Sequence, residues 1–302
     1  MVNIKRKVIQ IANSTQLVSL PRKWTLKYGI KKGDEVEVKE DMGSIIITTE
    51  KEMPSNNTEI NFKGMSSLIH RALSSLYRAG YDEIKIIFES TSELEVINHT
   101  INQELIGFEI LEQGKEFIVV KQVSNISPAQ FDSMLRRTFL FLISTADECK
   151  DALTANNFDA LKNLIIRDQT INKLTDYCRR ALNKKEGYFK HLGPGYAIIE
   201  LLEKIGDDYR DLCKYASDNK KKVDKPILDA IEEINLFLKQ VYKLFYNFNL
   251  NEMKEFIAKK MEIDERILNI SKLKNINIFL IYINSIANNI FYLNGPLMIN
   301  SL

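Results

Sequence analysis

The sequence predicts a multidomain α+β protein in three parts: a small N-terminal β module over residues 1–52, a small α/β unit over 60–124 and an all-α region over 126–302. Three observations predict it. Residues 5–48 set short apolar runs between turn residues, around one brief helical stretch. Residues 52–61 contain Met-Pro-Ser-Asn-Asn-Thr, a linker composition. From Ser127 onward apolar residues recur at helical spacing and strand signals are lacking.

In the first module Val8–Ala12 reads as a strand, Asn13-Ser14-Thr15 as a polar turn and Leu17–Leu20 as a second short strand. Pro21 stands where a helix starts, and Arg22–Tyr28 makes two turns closed by Gly29. Lys32-Gly33-Asp34 turns the chain into a strand at Val36–Lys39, and Asp41-Met42-Gly43 turns it again into Ile45–Thr48. Two hairpins therefore flank a short helix. A chain of this size buries too little surface alone, so a homodimer sharing its core is expected. Lys5, Arg6, Lys7, Arg22, Lys23, Lys27, Lys31 and Lys32 all precede the first acid, Asp34, whereas the whole chain carries a formal charge of only +2. A local field of one sign attracts a polyanion, and double-stranded DNA is the first candidate. The competing reading is a half-buried β module whose lysines are merely solvated.

The run Ser14 to Leu20, then Pro21-Arg22-Lys23-Trp24, then Gly33-Asp34-Glu35-Val36 resembles the SpoVT/AbrB swapped-hairpin DNA-binding domains. The resemblance implies that each chain supplies half of a β-barrel, two copies interleaving their hairpins. It also implies that basic residues grip DNA; here these are Lys5, Arg6, Lys7, Arg22 and Lys23, with Lys27 in addition. Asn13, Ser14 and Gln16 are polar groups placed to add hydrogen bonds.

Beyond the linker, Met65, Leu68, Ile69, Ala72, Leu73, Leu76 and Tyr77 share one helical face, and Gly80 ends that helix. A strand at Ile84–Phe88 follows, then a helix over Glu93–Gln103, then a hairpin of Gly107–Leu111 and Phe117–Lys121. No glycine-rich phosphate loop is present, and His70 and His99 stand alone, so this unit reads as a spacer or dimerising module. Ser127-Pro128 is a helix cap followed by proline at the first helical position. Helices are expected over 128–153, 157–184, 195–217, 226–247, 251–271 and 276–293, with inward apolar stripes that mean bundle packing.

The helices carry an internal repeat. Arg167–Asn172 parallels Lys259–Asp264, and Glu203–Asp207 parallels Asn284–Asn288. This arrangement resembles the PhoU family, two three-helix halves each bearing an E/D-x-x-x-D motif. With the basic module in front, and with Glu104–Ile110 and Phe131–Leu142, the layout resembles archaeal phosphate uptake regulators. In the PhoU family such carboxylates bind metal clusters. Glu203 and Asp207, at i and i+4, share a helix face and can reach one cation. With Asp168 they form a degenerate acidic site for a divalent or ferric metal, against the reading of a solvated acidic face. The partner motif has Asn172 in place of one carboxylate, and the second half reads Asn284 and Asn288, with only Asp264 opposite. Asn284, Asn288 and Asn289 on an otherwise apolar helix are expected either to bond across helices or to face a partner. Lys220-Lys221-Lys222 reads as a solvated loop run.

At 45% hydrophobic and 27% charged, the 302 residues have an ordinary globular composition. Cys149, Cys178 and Cys213 read as reduced core thiols of a cytoplasmic protein. The N-terminus lacks a signal-peptide core, and Ile276–Ile283 is too short to span a bilayer, so no membrane insertion is expected. No paired metal-spaced histidines, G-x-S-x-G or Cys–His dyad is legible, so no enzyme activity is expected. The resulting expectation is a DNA-binding regulator of phosphate uptake whose helical part senses or docks. The alternative is a signalling adaptor on a phosphate transporter or sensor, whose N-terminal module mainly dimerises or pairs with a toxin-like partner.

Overall fold

The computed structural model describes residues 5–11, 15–41, 44–49, 56–124, 127–184, 189–273 and 278–302. Contacts gather the chain into two compact units, Met1–Asn56 and Asn57–Leu302, which are taken in turn.

The first unit holds two separate two-stranded sheets and a short helix. Strand β1 (Ile9–Ile11) pairs antiparallel with β2 (Thr15–Leu17), Ile9 opposite Leu17. Thr15, expected in the turn, thus belongs to the strand, and Val18–Leu20 lie outside it, because a three-residue β1 offers no further partners. Helix α1 (Arg22–Lys27) follows Pro21 and closes against Gly29, whose φ of +60° lies in the left-handed region that glycine adopts freely. Strands β3 (Glu37–Asp41) and β4 (Ser44–Thr48) make the second hairpin. Asp41, expected in the turn, ends β3, and Met42 and Gly43 lie outside the described residues. Among the described side chains of this unit none is buried.

The second unit opens with an α/β layer. Strand β5 (Asn57–Asn61) occupies part of the expected linker and pairs parallel with β6 (Glu83–Ile87). Helix α2 (Ser66–Arg78) joins the two, α3 (Thr91–Glu104) follows, and β7 (Phe108–Gln113) and β8 (Phe117–Gln122) complete a sheet of order β5-β6-β8-β7. The alternation of β6 and β8 buries Ile84 opposite Val120 and Ile86 opposite Ile118, in one core with Ile69, Leu73 and Tyr77 of α2 and Ile97 and Ile101 of α3. Lys85 and Lys121, between those positions, pair instead with Glu59 and Glu83.

The remainder is helical: α4 (Pro128–Ala155), α5 (Phe158–Asn183), α6 (Leu192–Asp218), α7 (Lys225–Tyr246), α8 (Leu250–Leu273), α9 (Ile278–Tyr292) and α10 (Asn294–Ser301). The Ser127 hydroxyl accepts from Gln130 N–H at 3.3 Å while the Gln130 side chain accepts from Ser127 N–H at 2.9 Å, a reciprocal cap. One continuous core joins the helices, with Phe139, Ile205, Tyr209, Phe237 and Phe256 among its fully buried members. The three cysteines are free and buried, with Cys149 and Cys213 Sγ atoms 3.3 Å apart. Among the described residues no helix is long and apolar enough to cross a membrane.

The α/β layer is fastened to the bundle by Arg180 of α5. Its side chain is fully buried and donates to Tyr77 O at 2.7 Å, Asp82 Oδ1 at 2.9 Å and Gln122 Oε1. The guanidinium lies 5.0 Å from the Tyr77 ring centroid and 4.9 Å from that of Phe108.

Candidate nucleic-acid interface

The first unit presents its cations in two sets. Lys5, Arg6 and Lys7 precede β1, and all are exposed. Arg22, Lys23 and Lys27 lie on α1, exposed, and the four-residue spacing puts Lys23 and Lys27 on one face. None of these six is ion-paired with a described residue; Lys27 Nζ lies 5.5 Å from the Tyr28 ring centroid. Unpaired cations on a small module are free to meet phosphate oxygens. Gln16 sits mid-strand in β2, exposed and opposite Gln10. Asn13 and Ser14 lie outside the described residues.

The apolar side chains of this unit are uncovered as well. Ile9, Ile11 and Leu17 share one face of the first hairpin, and Val38, Ile45 and Ile47 share one face of the second. Ile9 is 58% exposed, Leu26 70% and Ile45 72%. Two lone hairpins with bare apolar faces do not hold together in water. Among its described residues, the module that carries the basic surface therefore has no core of its own.

The acidic residues read as a metal site lie in the bundle. Glu203 and Asp207 sit on α6 and Asp168 on α5, two helices that pack together, but the structure gathers these carboxylates around arginines. Arg210 Nη1 donates to Asp168 Oδ2 at 3.0 Å and Asp207 Oδ1 at 2.5 Å, and Arg210 also pairs with Asp211 at 2.9 Å. Arg179, 1% exposed, contacts Glu203, Glu200 and Asp176, the last at 2.7 Å. Burial works against the charge on Arg179, yet Glu203, Glu200 and Asp176 outweigh it and raise its pKa. Burial pushes the carboxyls of Asp168 and Asp207 up, against the pull of Arg210. Among the described residues no three His, Cys, Asp or Glu side chains are grouped to hold a metal ion. His70 bonds Glu104 at 2.6 Å, and His99 is exposed.

The asparagines of α9 divide. Asn289 donates to Asp208 Oδ2 at 2.7 Å, beside a 2.8 Å bond from Ser285, so it bonds across helices. Asn284 and Asn288 line a groove with Lys260 and Asp264. Sequence reasoning missed Arg179 and Arg180. The available signal was an Arg-Arg pair set among buried Tyr177, Cys178, Ala181 and Leu182 of α5, where two bases need carboxylates from other elements.

Residues 9–55 match the family model described as antidote-toxin recognition MazE, bacterial antitoxin. No curated protein and no solved structure matches the chain. The small β unit is thus similar to a MazE/AbrB-type antitoxin domain and is followed by a largely helical region, an arrangement that supports a DNA-binding or antitoxin-type regulator.

Proposed function

We propose that the chain is a homodimeric DNA-binding transcriptional regulator. The observation that carries this reading is a conjunction among the described residues of the first unit: apolar faces without a cover, beside cations without a counter-ion. A second copy supplies the cover, its hairpins closing a shared barrel. Domains similar to the matched one typically bind DNA and dimerise. Lys5, Arg6, Lys7, Arg22, Lys23 and Lys27 then contact phosphates and base edges, with Gln16, Asn13 and Ser14 adding hydrogen bonds.

The bundle is the sensory or docking part, and the controlled process is phosphate uptake. This finer assignment rests on the resemblance of the helical repeat to PhoU proteins. It is supported by the packing of α5 on α6 and of α8 on α9, the two helix pairs that carry the repeated segments.

Binding to a specific operator is the test. Neutralising roughly eight phosphates per dimer gives a log–log salt slope of about −7. Reversing charge with Arg22→Glu and Lys23→Glu abolishes retention on a promoter fragment recovered by chromatin precipitation. A slope near zero, or retention unchanged by the double reversal, defeats the reading.

The matched family's description favours a second reading, in which the first unit recognises a toxin-like protein and the chain is an adaptor on a phosphate transporter or sensor. Recovery of a transporter ATPase, a kinase or a small toxin in a pull-down, without promoter enrichment, selects it.

A further inference from the structure

We propose that the carboxylate row of the bundle carries its own cations: Arg179, Arg210 and Lys260 supply the positive charge that a bound metal would supply, and the bundle works without metal. The argument starts from the acidic positions of the helical repeat. Each carboxylate there that could serve as a ligand is already engaged by a base. Asp168 and Asp207 share Arg210, and Glu203 is held by Arg179 together with a 3.0 Å bond from the Thr175 hydroxyl. In the second half Asp264 takes Lys260 Nζ on both oxygens, at 2.5 and 2.6 Å. The same solution thus occurs in both halves.

The bases are built in. Arg179 is 1% exposed and Lys260 7%, and Lys260 also lies 5.5 Å from the Phe291 ring centroid. A buried guanidinium with three carboxylates around it is neutralised in place, as a multivalent cation would be. Two acceptors stay unpartnered here, Asp168 Oδ1 and Asn172 Oδ1. They do not make a cation site. The Asn172 amide donates to Asp168 Oδ2 at 3.3 Å. Asp168 Oδ1 lies against Gly206, where an added Cβ would stand 3.4 Å away. Among the described residues no three His, Cys, Asp or Glu side chains are grouped there to hold a metal ion. A metal at Asp168, Asp207 or Glu203 would compete with the arginine already bonded there.

The test uses the full chain. Elemental analysis after incubation with ferric citrate, manganese chloride or magnesium chloride, followed by gel filtration, is expected to find substoichiometric metal. The same salts leave the melting temperature unchanged. One equivalent of metal per chain overturns the proposal. Arg210, only part-buried, is the site for variants that fold. Arg210→Met keeps the bulk, loses the charge and lowers the melting temperature by several degrees. Arg210→Lys keeps the charge and recovers most of that loss. Should the methionine and lysine variants melt alike, Arg210 acts through packing and the proposal falls.

Discussion

The two units of this chain stand at opposite ends of self-sufficiency. The second encloses fully buried aromatic and aliphatic residues, caps its α3 and α4 with reciprocal side-chain bonds, and buries two arginines against named partners. The first has no buried side chain among its described residues, and its one helix starts at a proline with no side-chain cap bond. The difference teaches where each unit finds its stability. Burial inside one chain sustains the second unit. The described residues of the first bury nothing among themselves, so on the proposed reading its fold and its binding surface depend on the same association.

The sharpest way to break that contrast is to place a charge on the bare face of the first unit. In a lone hairpin, lysine at Ile45, 72% exposed, would change stability by no more than about 0.5 kcal/mol. In a core shared by two copies the same Ile45→Lys change buries an unpaired charge, at about 3 kcal/mol per copy. The dimer dissociation constant then rises by roughly four powers of ten. Light scattering with dilution reads this directly, and retention on DNA is lost with the dimer. A variant that dimerises as the parent does removes the shared core.

The matching change in the second unit is Arg180→Met. Removal of this buried base takes its packing and one donor each from the Tyr77 carbonyl, which keeps the Gly80 N–H at 3.0 Å, from Gln122, which keeps Lys184 at 3.4 Å, and from Asp82, which keeps Lys184 at 2.6 Å. The expected loss is about 3 kcal/mol in denaturant unfolding of the second unit. Dimerisation and DNA retention stay at parental levels under native conditions. If dimerisation and this loss move together, the two units are not the independent bodies that the contrast requires.

Much of the second unit was legible in the sequence, for a physical reason. Long helices repeat their apolar period many times, and a cap such as Ser127-Pro128 marks a start. Strand β5 was not legible. Only Thr58 and Ile60 in Asn57–Asn61 are even partly buried, and the strand exists because β6 offers it a parallel partner. Helix α10 was hidden by Gly295-Pro296, which reads as a breaker, although proline in a first turn lacks only an N–H that would have no helical partner. In the candidate interface the acid-free run was readable residue by residue. How its two sets of cations combine was not, because on the proposed reading that depends on a second copy. The arginine partners of the acidic row were missed because spacing along one helix says nothing of the neighbouring helix that completes the pairing.

The smallest expected effect sharpens the contrast at the level of one helix start. Glu93, in the first turn of α3, accepts from the backbone N–H of Gly64 at 2.8 Å, Glu89 at 2.9 Å and Ser90 at 3.3 Å, and its own N–H donates to the Ser90 hydroxyl at 3.2 Å. The bond from the Glu89 N–H, against the opposing effect of burial and with help from Gly64 and Ser90, holds its carboxyl below the ordinary glutamate value. A carboxyl whose native pKa is depressed contributes stability that is present above its unfolded pKa and is lost as pH falls through the native one. Glu93→Gln keeps the shape and gives up the charge, so its melting temperature should trail the parent's near neutral pH. The gap should close as the solution is acidified through that window. No such window attaches to α1, which has no acid in its first turn. A gap that stays constant with pH would mean that Glu93 contributes packing alone, and the capped start of α3 would then differ from the bare start of α1 in shape but not in charge.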